Sequence, residues 1–315
     1  METVTFRLSD SGRLAGVRLY QEVRITDLDF ARAGAEWVLV APRPPVNRME
    51  YLFELRHRDG SRETILDPAS SARAVGVFGD KSVHEFPEYI PPHWLTAAAL
   101  PGYWSRSPGM TLWSPIPQGD GLPLLVVHDG PEYDQLALLT RYLSAGLTGG
   151  WLPPVRAALL HPGDRNVNYS ASLGYTSGLE LPEAPVRVGM GTSLGALAML
   201  YAHRRRPPLF DALFLQSGSF FHPRFDAHEE RFPFYGRIVA FVEETLAGVG
   251  AWPLRAVLTC GGIEENIHNN RQMAEALRMQ GYEVIFGEMP DVHNYTAWRD
   301  AFDPYLTRLL QDVCA

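Results

Sequence analysis

The sequence predicts an α/β protein: a mainly parallel sheet flanked by helices, preceded by a small antiparallel β-sandwich. Three observations carry this. Short alternating apolar and polar segments run to about Pro68, and apolar runs of strand length alternate with helical patterns from about Met110. A glycine-bounded turn, GTSLG (Gly191 to Gly195), joins one such run to one such helix.

The N-terminal segments TVTFRL, GVRLYQEVRI, EWVLVAP, MEYLFELRHRDG and RETILDP are separated by turn residues, the pattern of strands that bury one face. Phe6, Trp37, Val38, Val40, Tyr51 and Phe53 are accordingly expected in the core of a domain spanning residues 1–77. Between residues 78 and 109 periodicity fades and proline and glycine cluster, as in FPEYIPPHW and LPGYWSRSPG. Trp94, Tyr103 and Trp104 are too apolar for a free tether, so this stretch reads as a linker packed on the next domain.

Residues 110–315 form the expected second domain. LPLLVVHDG precedes YDQLALLTRYLSAG, VRAALLHP precedes NVNYSASLGYTSGL, and PVRVGMGTS precedes LGALAMLYAHRRR. DALFLQSGSF, RAVLTCGG, RQMAEALRMQG, EVIFGEMP and WRDAFDPYLTRLL continue the alternation. Continuous apolar runs alternating with helices imply strands covered on both faces.

Composition narrows the function classes. The chain has 315 residues and 46% hydrophobic content, enough for a core that needs no staples. Its two cysteines, Cys260 and Cys314, lie far apart, which argues against a disulfide framework and fits a reducing cytoplasm. A net charge of −8 disfavours nucleic acid. The basic run His203 to Pro208 reads as a solvated helix end, where cations oppose the dipole. The N-terminus lacks the pattern of a signal peptide and no apolar run reaches membrane-span length, so no membrane partner is expected.

GTSLG matches G-x-S-x-G, a short motif that acquires meaning from its setting. The apolar strand PVRVGM ends at it and the helix LGALAMLYA begins within it. Glycines on both sides permit a turn in which Ser193 stands on a strained corner with its hydroxyl at the carboxyl end of the sheet. A helix N-terminus also offers unpaired N–H groups to a developing oxyanion, Leu194 first among them. The competing reading is an ordinary capping serine.

A nucleophilic serine needs a base, and the base an orienting acid. After the strand RAVLTC come Glu264 and Glu265; after EVIFGEM come Asp291 and His293. Both groups follow strand ends, in the chain order serine, acid, histidine. Among ten histidines, His293 is the strongest candidate base. His128 ends a strand but precedes Ser193, His222 lies in the SFFHP loop, and His268 starts a helix. Asp291, two residues from His293, reads as a turn residue.

GTSLGALAMLYA, LFLQSGSFF, CGGIEENIHNNRQMAEAL and HNYTAWRDAF together resemble the enterochelin esterase and esterase D-like branch of the α/β-hydrolases. VVHDGPEYD is similar to that group's Asp-Gly loop, and PPVNRMEYLFEL with LDP to the early-set, immunoglobulin-like sandwich that precedes the hydrolase domain in enterochelin esterases. The resemblance is dense from Leu122 onward and looser before residue 110. It implies Ser193 as nucleophile, His293 as base and a glutamate of GIEEN as acid; the second residue beyond Gly-Ile is Glu265, preferred on this ground over Glu264. It also implies a second oxyanion donor immediately after the Asp-Gly pair. That position is Pro131, which has no N–H, so the donor shifts to Gly130, Glu132 or Tyr133.

The implied activity is cleavage of a carboxylic ester through an acyl-enzyme, with no metal or organic cofactor. Tyr133, Phe220, Phe221 and Trp298, together with Tyr295, are candidates for an apolar substrate pocket, against the alternative of plain packing. The acidic chain favours small or uncharged esters over an anionic siderophore trilactone, which is the alternative substrate. Two other readings stand beside it: acyl transfer of the mycolyltransferase type, and a non-catalytic carbohydrate-binding protein. The expected partner is a small-molecule ester, and a homo-oligomer stays open.

Overall fold

The computed structural model describes residues 2–76 and 79–314. The chain divides into two compact units. The smaller comprises Met1–Ile90 with Gly262–Glu264 and Pro290–His293; the larger comprises Pro91–Gly261, Glu265–Met289 and Asn294–Ala315. The expected domain boundary between residues 77 and 78 lies outside the described residues.

In the smaller unit, β1 (Thr3–Ser9), β2 (Leu14–Gln21), β3 (Ala31–Ala33), β4 (Glu36–Pro42), β5 (Arg48–His57), β6 (Arg62–Ile65), β7 (Arg73–Ala74) and β8 (Lys81–Glu85) pair antiparallel throughout. They make two sheets, β1-β4-β3 and β2-β5-β8-β7, with β6 on β5. Alternation decides what is buried: Val4, Phe6 and Leu8 of β1 point inward while Thr3, Thr5, Arg7 and Ser9 face out. Phe6, Tyr51 and Phe53 are core residues as expected. In β4 the parity is the reverse of the expectation. Leu39 and Ala41 are buried, Val38 is half-buried and Val40 is 58% exposed, because a period of two commits the whole strand once Leu39 turns inward. Trp37 is half-buried at the margin, its indole N–H donating to Asp10 at 3.2 Å.

The larger unit is a mixed α/β structure. Its strands are β9 (Tyr103–Ser107), β10 (Met110–Ser114), β11 (Leu124–Val127), β12 (Arg156–Leu160), β13 (Arg187–Thr192), β14 (Ala212–Gln216), β15 (Arg255–Gly261) and β16 (Glu283–Met289). They form one sheet in the order β16-β15-β14-β13-β11-β12-β10-β9. The six strands β11 to β16 run parallel to one another, and β10 pairs antiparallel with both β12 and β9 at the edge. Tyr103 and Trp104 lie on this edge hairpin, half exposed, rather than packed as a linker would be; Trp94 is fully buried against Tyr142 and Phe302.

Helices cover both faces. They are α1 (Gly130–Ala137), α2 (Leu139–Thr148), α3 (Arg165–Tyr169), α4 (Leu173–Ser177), α5 (Leu194–Arg205), α6 (Tyr235–Leu246), α7 (Ile267–Met279), α8 (Tyr295–Asp300) and α9 (Thr307–Cys314). Leu124 and Val126 point to one core with α5, α6 and α7, and Leu125 and Val127 to the other with α1, α2 and α9. Strands buried on both faces therefore read as unbroken apolar runs.

The basic run at the end of α5 is a solvated helix end only in part: Arg205 to Pro208 are exposed. His203 and Arg204 are buried, Arg204 donates to Gln280, Tyr282 and the Val249 carbonyl, and Arg206 donates to the carbonyls of Thr176 and Leu179. A guanidinium with five donors can satisfy several such acceptors at once, which lets Arg204 be buried. Among the described residues no helix is long and apolar enough to cross a membrane.

Candidate active site

Ser193 joins β13 to α5 at φ 54° and ψ −124°, a conformation that costs a residue with a side chain roughly 1–3 kcal/mol. The corner is held from several directions. Its N–H donates to Gln216 O at 3.0 Å, and its carbonyl accepts from Ala196, Leu197 and Ser219. Gly191 is a steric requirement, since a Cβ there would lie 2.5 Å from the Gly195 carbonyl carbon; one on Gly195 would lie 3.2 Å from Asp129 Oδ2, a tight contact. Ser193 is half-buried, and its Oγ is 3.0 Å from Ser219 Oγ. Leu194 is the first residue of α5, so its N–H is among the helix donors without an intrahelical acceptor.

The strand ends behind this corner lie in one row, Thr192 opposite Gln216, Gln216 opposite Thr259, Thr259 opposite Gly287. Gln216 is the hub of a buried polar network. It accepts from Tyr133 Oη at 2.9 Å and donates to Thr259 Oγ1 and to Trp298 O. Next to it, Asn270 both accepts from Gly218 N–H at 2.9 Å and donates to Gly218 O at 2.8 Å, and the Trp298 indole donates to Ser217 Oγ. This clamps the 217–219 segment that presents Ser219.

On the other side, His128 is fully buried. Its Nδ1 is 3.0 Å from Gly195 O, and since a carbonyl only accepts, the proton sits on Nδ1; Nε2 has no protein partner. Burial pushes its pKa down to about 4, so it stays neutral and supports the elbow rather than serving as a base. Asp129, at φ 51°, accepts both arms of the Arg165 guanidinium, and its N–H donates to Tyr169 Oη at 3.1 Å. Gly130 follows as the first residue of α1. A Cβ there would lie 2.3 Å from Leu159 Cα, so only glycine fits.

In the smaller unit, His293 Nδ1 is 3.4 Å from Glu264 Oε1, with the Glu264 side chain 1% exposed. The glutamate that faces the histidine is therefore Glu264, which replaces Glu265 of the sequence expectation. Glu265 is more than half exposed, 3.6 Å from His228 Nε2, and groups with His228 and Glu229. The physical reason lies in two contacts of the smaller unit: Arg24 donates to the Glu264 carbonyl, and Ile263 packs on the core. Both contacts fix the main chain beside Glu264, whereas Glu265 belongs to the larger unit. Asp291 caps its own turn, accepting from Val292 N–H.

The proposed pocket residues divide. Tyr133 and Phe220 are fully buried, Tyr133 engaged with Gln216 and Phe220 filling space beside Gly218, so both are packing groups. Phe221 and Trp298 are nearly buried, Phe221 stacked on Tyr235 and Trp298 edge-on to Tyr295. Four residues that shape the site escape the sequence reading. Gln216 and Ser219 belong to the LFLQSGSFF run and Asn270 to CGGIEENIHNNRQMAEAL, so the signal for them was present; Arg165 carries no periodic or motif signal.

No protein-family model and no curated protein sequence matches the chain. Solved structures do. The enterobactin esterase FES from Shigella flexneri, crystallised in the presence of enterobactin, aligns with a TM-score of 0.77 at 19% identity, covering 98% of this chain and 93% of that one. The same protein in the presence of 2,3-dihydroxy-N-benzoyl-serine aligns at 0.79 and 20% identity over 98% and 93%. The ferric enterobactin esterase from Salmonella typhimurium aligns at 0.78 and 18% identity over 98% and 94%. The chain thus has the fold of these esterases along nearly its whole length.

Proposed function

We propose that this chain is a serine esterase acting on carboxylic esters, with Ser193 as nucleophile, His293 as general base and Glu264 as orienting acid. The observation that carries the reading is the Ser193 corner: a serine in a costly backbone conformation, between two glycines of which Gly191 has no room for a Cβ, at a parallel strand-to-helix junction. Support comes from His293 and Glu264, which follow β16 and β15 and pair with each other. The fold shared with enterobactin esterases agrees with it. The smaller unit is read as the expected early-set β-sandwich, its two sheets enclosing one core.

In this mechanism His293 Nδ1–H donates to Glu264, and Nε2 takes the Ser193 hydroxyl proton as Oγ bonds to the ester carbonyl carbon. The carbonyl π electrons move to oxygen, and Leu194 N–H with Gly130 N–H stabilise the oxyanion. Collapse breaks the ester C–O bond and His293 returns the proton to the leaving alcohol. Water, deprotonated by the same histidine, then bonds to the acyl carbon; collapse breaks the acyl C–Oγ bond, His293 returns the proton to Ser193 Oγ, and the acid leaves. Tyr133 is set aside as the second donor, since its N–H already donates to Asp129 O, while Glu132 N–H, in the first turn of α1, stays an alternative to Gly130.

The substrate read from charge is a small or uncharged ester: net charge is −8, and Arg165 and Arg237 near the elbow are occupied by Asp129 and by backbone carbonyls. A siderophore trilactone is the second reading, favoured by the full-length likeness to esterases crystallised with enterobactin. An ester panel spanning acetyl and butyryl p-nitrophenyl esters, acetylated sugars and triscatecholate trilactones separates them. Ser193→Ala is expected to abolish turnover and fluorophosphonate labelling; retained labelling overturns the nucleophile.

A further inference from the structure

Two short stretches from late in the chain, Gly262–Glu264 after β15 and Pro290–His293 after β16, belong to the smaller unit. Each is anchored there by a side chain and by the main chain. Val292 is 4% exposed within the core that holds Phe6, Leu39, Tyr51 and Phe53, and Ile263 packs against the same core. Asn47 N–H donates to Pro290 O at 2.9 Å. The buried Arg48, paired with Glu50 at 2.8 Å, also attracts the Asp291 carboxylate.

Arg24 completes the set. Its Nη2 donates to Glu264 O at 3.1 Å across 240 residues of chain. The residue stands at φ 59° between the buried Val23 and Ile25. That left-handed turn is braced by Gln21, whose Oε1 accepts Val23 N–H at 2.6 Å and whose Nε2 donates to Ile25 O at 3.1 Å. A non-glycine residue held there by a dedicated side chain is a built feature.

We infer that the smaller unit sets the His293–Glu264 pair, and that Arg24 is a positioning residue that holds the Glu264 backbone where its carboxylate meets His293. The inference rests on the assignment of that pair in the proposed esterase. The Nδ1–Oε1 separation of 3.4 Å is at the outer edge of a hydrogen bond, so a shift of a few tenths of an ångström in the Glu264 backbone ends it.

Two measurements on the full chain test it. In Ser193→Ala protein, the low-field Nδ1–H proton resonance of His293 reports the pair without any turnover; adding Arg24→Ala should move it upfield and broaden it, and Arg24→Lys should largely restore it. In protein retaining Ser193, Arg24→Ala should lower kcat roughly tenfold with KM within about twofold. Arg24 is exposed, so its truncation leaves the core intact, and an unchanged Tm verifies this. A resonance absent from the Ser193→Ala protein, or unmoved by Arg24→Ala, overturns the inference, as does a kcat within about twofold of wild type. Should Ser193→Ala keep full turnover, the esterase reading fails instead, and the resonance alone decides the role of Arg24.

Discussion

Arg165 closes both arms of its fork on Asp129, Nε to Oδ1 and Nη2 to Oδ2 at 2.8 Å each, immediately before the glycine offered as an oxyanion donor. The Asp129 side chain is 2% exposed and that of Arg165 35%. Removing the guanidinium strands a buried carboxylate. Arg165→Met should therefore cost about 2–3 kcal/mol in urea denaturation, below the figure for a wholly buried pair because Arg165 is partly solvated. Adding Asp129→Asn should return part of that loss, and strictly additive costs would show that the two groups act separately.

The two adjacent glutamates make a direct comparison. Glu264→Gln should reduce kcat by roughly four orders of magnitude, as loss of an orienting carboxylate does, while Glu265→Gln should stay within about twofold. The reverse order would restore Glu265 as the acid.

His128 gives the protein an acid-sensitive support. Its folded pKa, about 4, lies below the ordinary value near 6.5, so the unfolded chain binds more protons between these limits. The stabilisation is complete above about pH 6.5 and is lost as pH falls toward 4, at up to about 1.4 kcal/mol per pH unit. His128→Asn, which can keep a donor toward Gly195 O, should flatten the slope of stability against pH in that window. An unchanged slope would assign it to other groups.

Tyr133→Phe separates packing from substrate contact. The phenol donates to the buried Gln216, so its loss should cost about 1–2 kcal/mol of stability and leave KM unaltered. A raised KM with full stability would return Tyr133 to the pocket.

These cases show where the sequence is informative. Period and spacing located the Ser193 corner, because a parallel strand, a glycine-bounded turn and a helix each leave a local signature. They also ordered His293 after the glutamates. What they could not resolve was parity and orientation within a stretch. Val38 against Leu39, and Glu264 against Glu265, differ by one residue, and neighbouring residues of one stretch carry the same period and spacing signal. Burial of Tyr133 and Phe220 was equally hidden, since an aromatic residue after a strand end has the same composition whether it lines a pocket or fills a core. The salt bridge from Arg165 to Asp129 spans 36 residues and obeys no pattern that one strand or helix imposes.

Val292 belongs to the core of the smaller unit, together with Val4 and Phe6. During synthesis the early strands therefore wait for a piece of chain made much later before their interior is sealed. Folding of that unit is tied to completion of the larger sheet, whose strands β15 and β16 deliver Ile263 and Val292. Such a contact of very high sequence separation slows closure and leaves the early strands open to other chains on the ribosome. Expression of residues 1–90 alone should yield an aggregation-prone fragment rather than a free-standing module.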